Sequence, residues 1–132
     1  MKTTDDLETY MLELGHSFDT VDEGMWVVHD EEDDIDNIVV HLAPPLVIFR
    51  VKVCELPSGN KEGLLTRLLE LNANEMVHGA YGIEGDSVVM IDTLEAQNLD
   101  LNEFQASLES MSLALIQHYP VLRELTNGKE AV

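Results

Sequence analysis

The stretch Asn37-Ile38-Val39-Val40-His41-Leu42-Ala43-Pro44-Pro45-Leu46-Val47-Ile48-Phe49-Arg50-Val51-Lys52-Val53 decides the fold. Val47, Phe49, Val51 and Val53 recur at every second position, and Arg50 and Lys52 fall between them. That is the period of a strand with one face in a core. Asn37 to Leu42 reads as a preceding strand, ended by Ala43-Pro44-Pro45. Upstream, Phe18 to Val21 and Met25 to Val28 flank Gly24, which predicts one long strand with a bulge or bend. The acidic stretch Asp30-Glu31-Glu32-Asp33-Asp34 is a loop by composition. Three consecutive strands with short connections make an antiparallel meander.

Helices flank this meander. Leu7, Tyr10, Met11 and Leu14 follow the i, i+3, i+4, i+7 spacing, with Thr4 as N-cap and Gly15 as the stop. After the loop Leu56-Pro57-Ser58-Gly59-Asn60, Leu64, Leu65, Leu68, Leu69 and Leu71 mark a second helix. Its leucines fill two adjoining stripes, wider than one sheet contact requires. Met76 to Glu84 and Ser87 to Thr93 form a hairpin about Glu84-Gly85-Asp86. Asp100 and Glu103 open a final amphipathic helix through Phe104, Leu108, Met111, Leu115 and Tyr119, which Pro120 should kink or end. The predicted order is α-β-β-β-α-β-β-α, an α+β fold with helices packed on an antiparallel sheet. One domain over residues 1–126 is expected, with a flexible tail at 127–132.

Charge narrows the function classes. Of the 132 residues, 26 are Asp or Glu and 7 are Lys or Arg, a net charge of −19. Residues 1–36 hold 13 of the acids against Lys2 alone, a net −12. Clustered Lys and Arg are needed to hold phosphates, so general nucleic-acid binding is excluded, and an anionic membrane surface is disfavoured. The longest apolar run, Leu46 to Phe49, stops at Arg50, far short of a membrane span. No apolar signal segment follows Met1. Cys54 is the only cysteine, which fits a reducing cytoplasm.

No motif demands catalysis. Asp30, Glu32 and Asp34 alternate as calcium-loop ligands would, but the sixth position is Ile35 and the twelfth is His41. Gly79, Gly82 and Gly85 match neither the dinucleotide fingerprint nor the phosphate loop. His16, His29, His41, His78 and His118 have no zinc-ligand spacing. His29 and His41 could meet across the first hairpin beside the acidic loop, the basis of an alternative reading as a small-molecule or metal-sensing domain. Cys54 has no base beside it in sequence. No cofactor, metal or catalytic residue is expected.

Apolar excess stands out instead. Trp26, Val28, Val39, Val89 and Ile91 lie on what reads as a second apolar face of the strands. Either the helices wrap round to cover it, or another chain completes it. Homodimerisation is the simplest completion. Trp26, Val28, Val39 and Ile91 are the candidate partner-binding patch.

The order and acidity resemble the class I type III secretion chaperones of the Tir chaperone type and the related YbjN-like proteins. Leu64-Leu65-Thr66-Arg67-Leu68-Leu69-Glu70-Leu71-Asn72-Ala73-Asn74, running into His78 to Asp86, resembles the central helix and hairpin of YbjN-like proteins. Leu99 to Leu108 resembles the entry to their last helix. The resemblance implies a dimeric, non-enzymatic cytoplasmic protein that holds a segment of a client or regulates a partner. By the same analogy, Leu64, Leu65, Leu68 and Leu69 would form the dimer interface.

Overall fold

The computed structural model describes residues 2–30 and 35–127. In chain order these form α1 (Thr4–Glu13), β1 (Ser17–Asp22), β2 (Met25–Asp30), β3 (Ile35–Ala43), β4 (Leu46–Glu55), α2 (Glu62–Asn74), β5 (Ala80–Glu84), β6 (Ser87–Glu95) and α3 (Leu101–Asn127). The six strands make one antiparallel sheet in the order β1-β2-β3-β4-β6-β5. The architecture is α+β, as expected, with one strand more.

That extra strand comes from Gly24. The predicted single bent strand is a hairpin, in which Thr20 pairs with Trp26 and Asp22 with Met25. Gly24 sits at φ +71, where a side chain would be strained. A Cβ there would also come within 3.3 Å of the Leu42 carbonyl oxygen. Chain reversal, not a bulge, is what the glycine permits.

All three helices contribute to one core on one face of the sheet. Leu7 and Met11 of α1, Leu64, Leu68 and Leu71 of α2, and Phe104, Leu108, Met111 and Leu122 of α3 pack with Trp26, Val40, Val47, Phe49, Val51, Val88 and Met90. Two aromatic contacts tie the layers: the Phe104 ring meets Phe49 at 5.3 Å, edge-on, and Tyr10 at 5.7 Å. Asp92, within the core-facing row of β6, accepts a hydrogen bond from the buried Ser107 hydroxyl of α3.

Helix α3 runs through Pro120 to Asn127, so the proline does not end it. Proline removes the bond to the carbonyl four residues back, that of Ile116. Ile116 and Pro120 both lie on the solvent side, where water can take that bond. Buried His118 and Leu122 meanwhile hold the helix down on either side. Tyr119, read as part of the apolar stripe, is exposed. Residues 128–132 of the expected tail lie outside the described residues, as do 31–34 of the acidic loop.

Helix α1 is capped by Thr3 rather than Thr4. The Thr3 hydroxyl accepts from the Asp6 backbone, and the Thr3 backbone donates to the Asp6 carboxylate. Thr3→Ala should cost about 1 kcal/mol, readable as a lower urea midpoint at unchanged slope.

Candidate protein-interaction surfaces

The strand register divides the four candidate patch residues between two faces. Trp26 pairs with Val40 and Val28 with Ile38, and all four are core. Trp26 has no exposed surface, and its indole N–H donates to Glu8 Oε2 of α1 at 2.8 Å. Trp26 and Val28 are therefore corrected from surface to core. Val39 and Ile91 do lie on the other face, in the cross-strand row Asp19, Val27, Val39, Arg50, Ile91, Ala80. Among the described residues no helix packs there, and Val27, Val39, Ile48 and Ile91 are half-buried.

The two leucine stripes of α2 part in the same way. Leu64 and Leu68 are buried in the core, a correction to their place in a subunit interface. Leu65 and Leu69 face outward, Leu69 at 69% exposure. Val77, in the loop before β5, and Ile83 on β5 are exposed as well. Together they make an apolar edge of α2 and β5 on one side of the molecule. Leu12 of α1 and Val21 of β1 are the corresponding exposed residues on the opposite side. Composition could not single out Leu12, Val21 and Ile83. Leu12 stands off the apolar stripe of its helix, and Val21 and Ile83 are alternate residues of edge strands, whose faces sequence does not assign.

Charge separates these edges further. Among the described residues Arg50 pairs with Glu84, Lys52 with Glu55, and Arg67 with both Glu70 and Glu75. Near β1, by contrast, Asp5, Glu13, Asp19, Asp22 and Glu23 are exposed, and Asp19 meets His29 at 2.9 Å. Among the described residues β1 pairs with β2 alone, leaving one of its sides as a sheet edge.

Among the described residues the alternative His29–His41 site is not assembled. Met25 pairs with His41 and Val27 with Val39, so His29 and His41 sit at opposite ends of that pairing, separated by about 13 Å of strand. Among the described residues no three of His, Cys, Asp and Glu gather as metal ligands would. Cys54 is half-buried, and burial pushes its thiol above the ordinary value, the wrong direction for a nucleophile. Gly79 and Gly85 serve the backbone: φ is +81 and +59, and a Cβ on Gly79 would approach the Ile91 carbonyl to 3.1 Å. No helix among the described residues is long and apolar enough to cross a membrane.

The CesT_Tir_1 family model matches residues 1–128 of this chain. The chain belongs to the CesT_Tir_1 family. Solved structures share its fold. YbjN of E. coli, described as a candidate transcription regulator, is similar at 18% identity, covering 90% of this chain and 93% of that one, with a TM-score of 0.65. The HopA1–SchA chaperone–effector complex is similar at 9% identity over 84% and 87% of the two chains, TM-score 0.60. The ExoU–SpcU complex of the Pseudomonas aeruginosa type III secretion system gives 15% identity over 91% and 97%, TM-score 0.57. No curated protein sequence matches the chain. For this CesT/Tir-family chain, identities so low establish the fold alone.

Proposed function

We propose that this chain is a non-enzymatic, chaperone-like binding module that works in the cytoplasm as an acidic homodimer and holds an extended segment of a partner protein. The observation that carries the reading is the pair of apolar edges on opposite sides of one sheet, Leu65, Leu69, Val77 and Ile83 on one side and Leu12 and Val21 on the other. Membership of the CesT_Tir_1 family supports it, and so does the fold shared with chaperone–effector complexes.

The two edges suit different occupants. A second copy carrying −19 is repelled least where bases are already matched by acids, which is the α2/β5 side. The β1 side suits a partner segment that is basic and apolar. Such a segment can pair its backbone with the free edge of β1, place alternate side chains beside Val21, and meet the exposed acids with its own cations.

Capture from the native lysate, with partners identified by mass spectrometry and the complex weighed by light scattering, tests the reading. One dominant partner at fixed stoichiometry is expected. Its affinity should fall at least tenfold, roughly, as salt rises from about 0.05 to about 0.5 M, because screening shortens the reach of exposed charge. Leu12→Asp with Val21→Asp should abolish capture while the fold survives. Salt-independent binding that also tolerates the double variant would refute the β1 edge as the site.

A further inference from the structure

His118 is the one histidine that is buried, with 3% of its surface exposed, and no part of the binding surfaces uses it. It projects from α3 into the junction with β5 and the C-terminal end of α2. Its Nδ1 lies 2.8 Å from the Tyr81 hydroxyl of β5. Its Nε2 lies 3.7 Å from Oε1 of Glu75, the C-cap of α2. The other Glu75 oxygen is 3.7 Å from Arg67, also on α2. Tyr81 is gripped a second time through its backbone: its N–H donates to Asn72 Oδ1 at 2.7 Å, and its carbonyl accepts from Asn72 Nδ2 at 3.1 Å. α2, β5 and α3 thus meet on a single tyrosine.

We propose that His118 is a proton-operated latch, which locks α3 to β5 and α2 when neutral and loosens that corner when protonated. The geometry defines the neutral state. Burial pushes the Tyr81 phenol up, so it keeps its proton and can donate to Nδ1. The imidazole hydrogen is then on Nε2, directed at Glu75. Adding a proton at Nδ1 sets two donors face to face. Tyr81 must then turn to accept, its own hydrogen loses that acceptor, and a cation is left in a desolvated site. Around the ring, Glu75 favours the cation and Arg67 opposes it, while from the β4 side the thiol of Cys54 bears on Tyr81. Burial is the largest influence and holds the imidazole below its ordinary range.

The sign follows by linkage. The folded state binds the proton less readily than the unfolded chain, whose histidine titrates near about 6.5. The latch's contribution is therefore complete above that value and is lost as the pH falls from it through the lower folded value. Acidification also relieves the self-repulsion of a chain at −19, so global melting mixes two opposing effects. A local readout separates them.

Amide hydrogen exchange across Ala80–Glu84 and residues 70–75, corrected for intrinsic rates, is the test. Between about pH 7.5 and about pH 5 the wild-type protection there should fall by about tenfold for each unit by which the folded histidine lies below the unfolded one, while β2 and β3 hold theirs. His118→Gln accepts from Tyr81 but cannot titrate, and should keep the corner protected at both values. Should that variant not fold, Glu75→Gln, at an exposed position, removes the carboxylate that favours the cation and should move the transition to lower pH. Unchanged wild-type protection, an equal acid loss in His118→Gln, or an unmoved transition in Glu75→Gln would each overturn the latch. The exposed Leu65, Leu69 and Ile83 ride on the same elements, so pairing of copies through that edge should weaken with the latch. This last consequence rests on the proposed dimer and is read separately, as mass by light scattering. A monomer at both pH values sinks the pairing and leaves the exchange result to judge the latch.

Discussion

Phe104→Ala should lower the free energy of unfolding by about 3–5 kcal/mol, the range for truncating a fully buried aromatic. Phe104 has no exposed surface and stands where α1, β4 and α3 converge, with Phe49 edge-on at 5.3 Å and Tyr10 at 5.7 Å. The loss has two sources. The ring's transfer free energy goes, and the cavity persists because its walls are anchored elsewhere: Tyr10 donates to the Leu99 carbonyl at 3.2 Å, and Phe49 lies in a central strand paired on both sides. A domain of this size is stable by only about 5–15 kcal/mol, so the variant should sit near the edge of folding. Urea unfolding at fixed protomer concentration measures it, since pairing of copies would add a concentration-dependent amount. Tyr119→Ala, fifteen positions along the same helix on its exposed face, is the control and should change stability by no more than about 0.5 kcal/mol. If the two variants unfolded alike, the placement of Phe104 at the junction would be wrong.

What the sequence made legible was periodicity, and what it hid was register. Val47, Phe49 and Val51 announce their inward face because Arg50 and Lys52 mark the outward one, and the structure buries the three as expected. Met25 to Val28 and Ile38 to Val40 offer no such mark. Both parities are apolar, so only the pairing of Trp26 with Val40 decides that Trp26 goes inward and Val39 outward. The same limit acts on α2. Leu64 and Leu68 lie one position from Leu65 and Leu69, and a leucine stripe tells how wide the apolar arc is, not which half of it a sheet covers. Gly24 and Pro120 misled for another reason. A glycine in a strand pattern serves a bend or a reversal equally well, and a helix can carry a proline where the freed carbonyl faces water. The Tyr81–His118 contact joins residues 37 positions apart and has no local signature at all.

Leu65→Asp combined with Leu69→Asp should convert the proposed homodimer to a folded monomer. The folded monomer is expected because Leu64, Leu68 and Leu71 already anchor α2 in the core. Leu65 and Leu69 are respectively 37% and 69% exposed in the single chain, so a carboxylate at either position meets water, not protein interior. In the pair of chains the situation reverses. Four new carboxylates would be drawn into one apolar contact between two copies that each already carry −19. An unpaired charge buried this way costs several kcal/mol, roughly 3–5 where it has been measured. One such charge on each copy therefore weakens association by a thousandfold or more, at about 1.4 kcal/mol per factor of ten. Light scattering or sedimentation at micromolar concentration should show the mass fall to one chain, with circular dichroism unchanged. A native dimer from the double variant would remove the α2/β5 edge as the pairing surface. The open sheet face with Val27, Val39, Ile48 and Ile91 would then be the next apolar surface for a second copy to cover, since Arg50 there is already matched by Glu84.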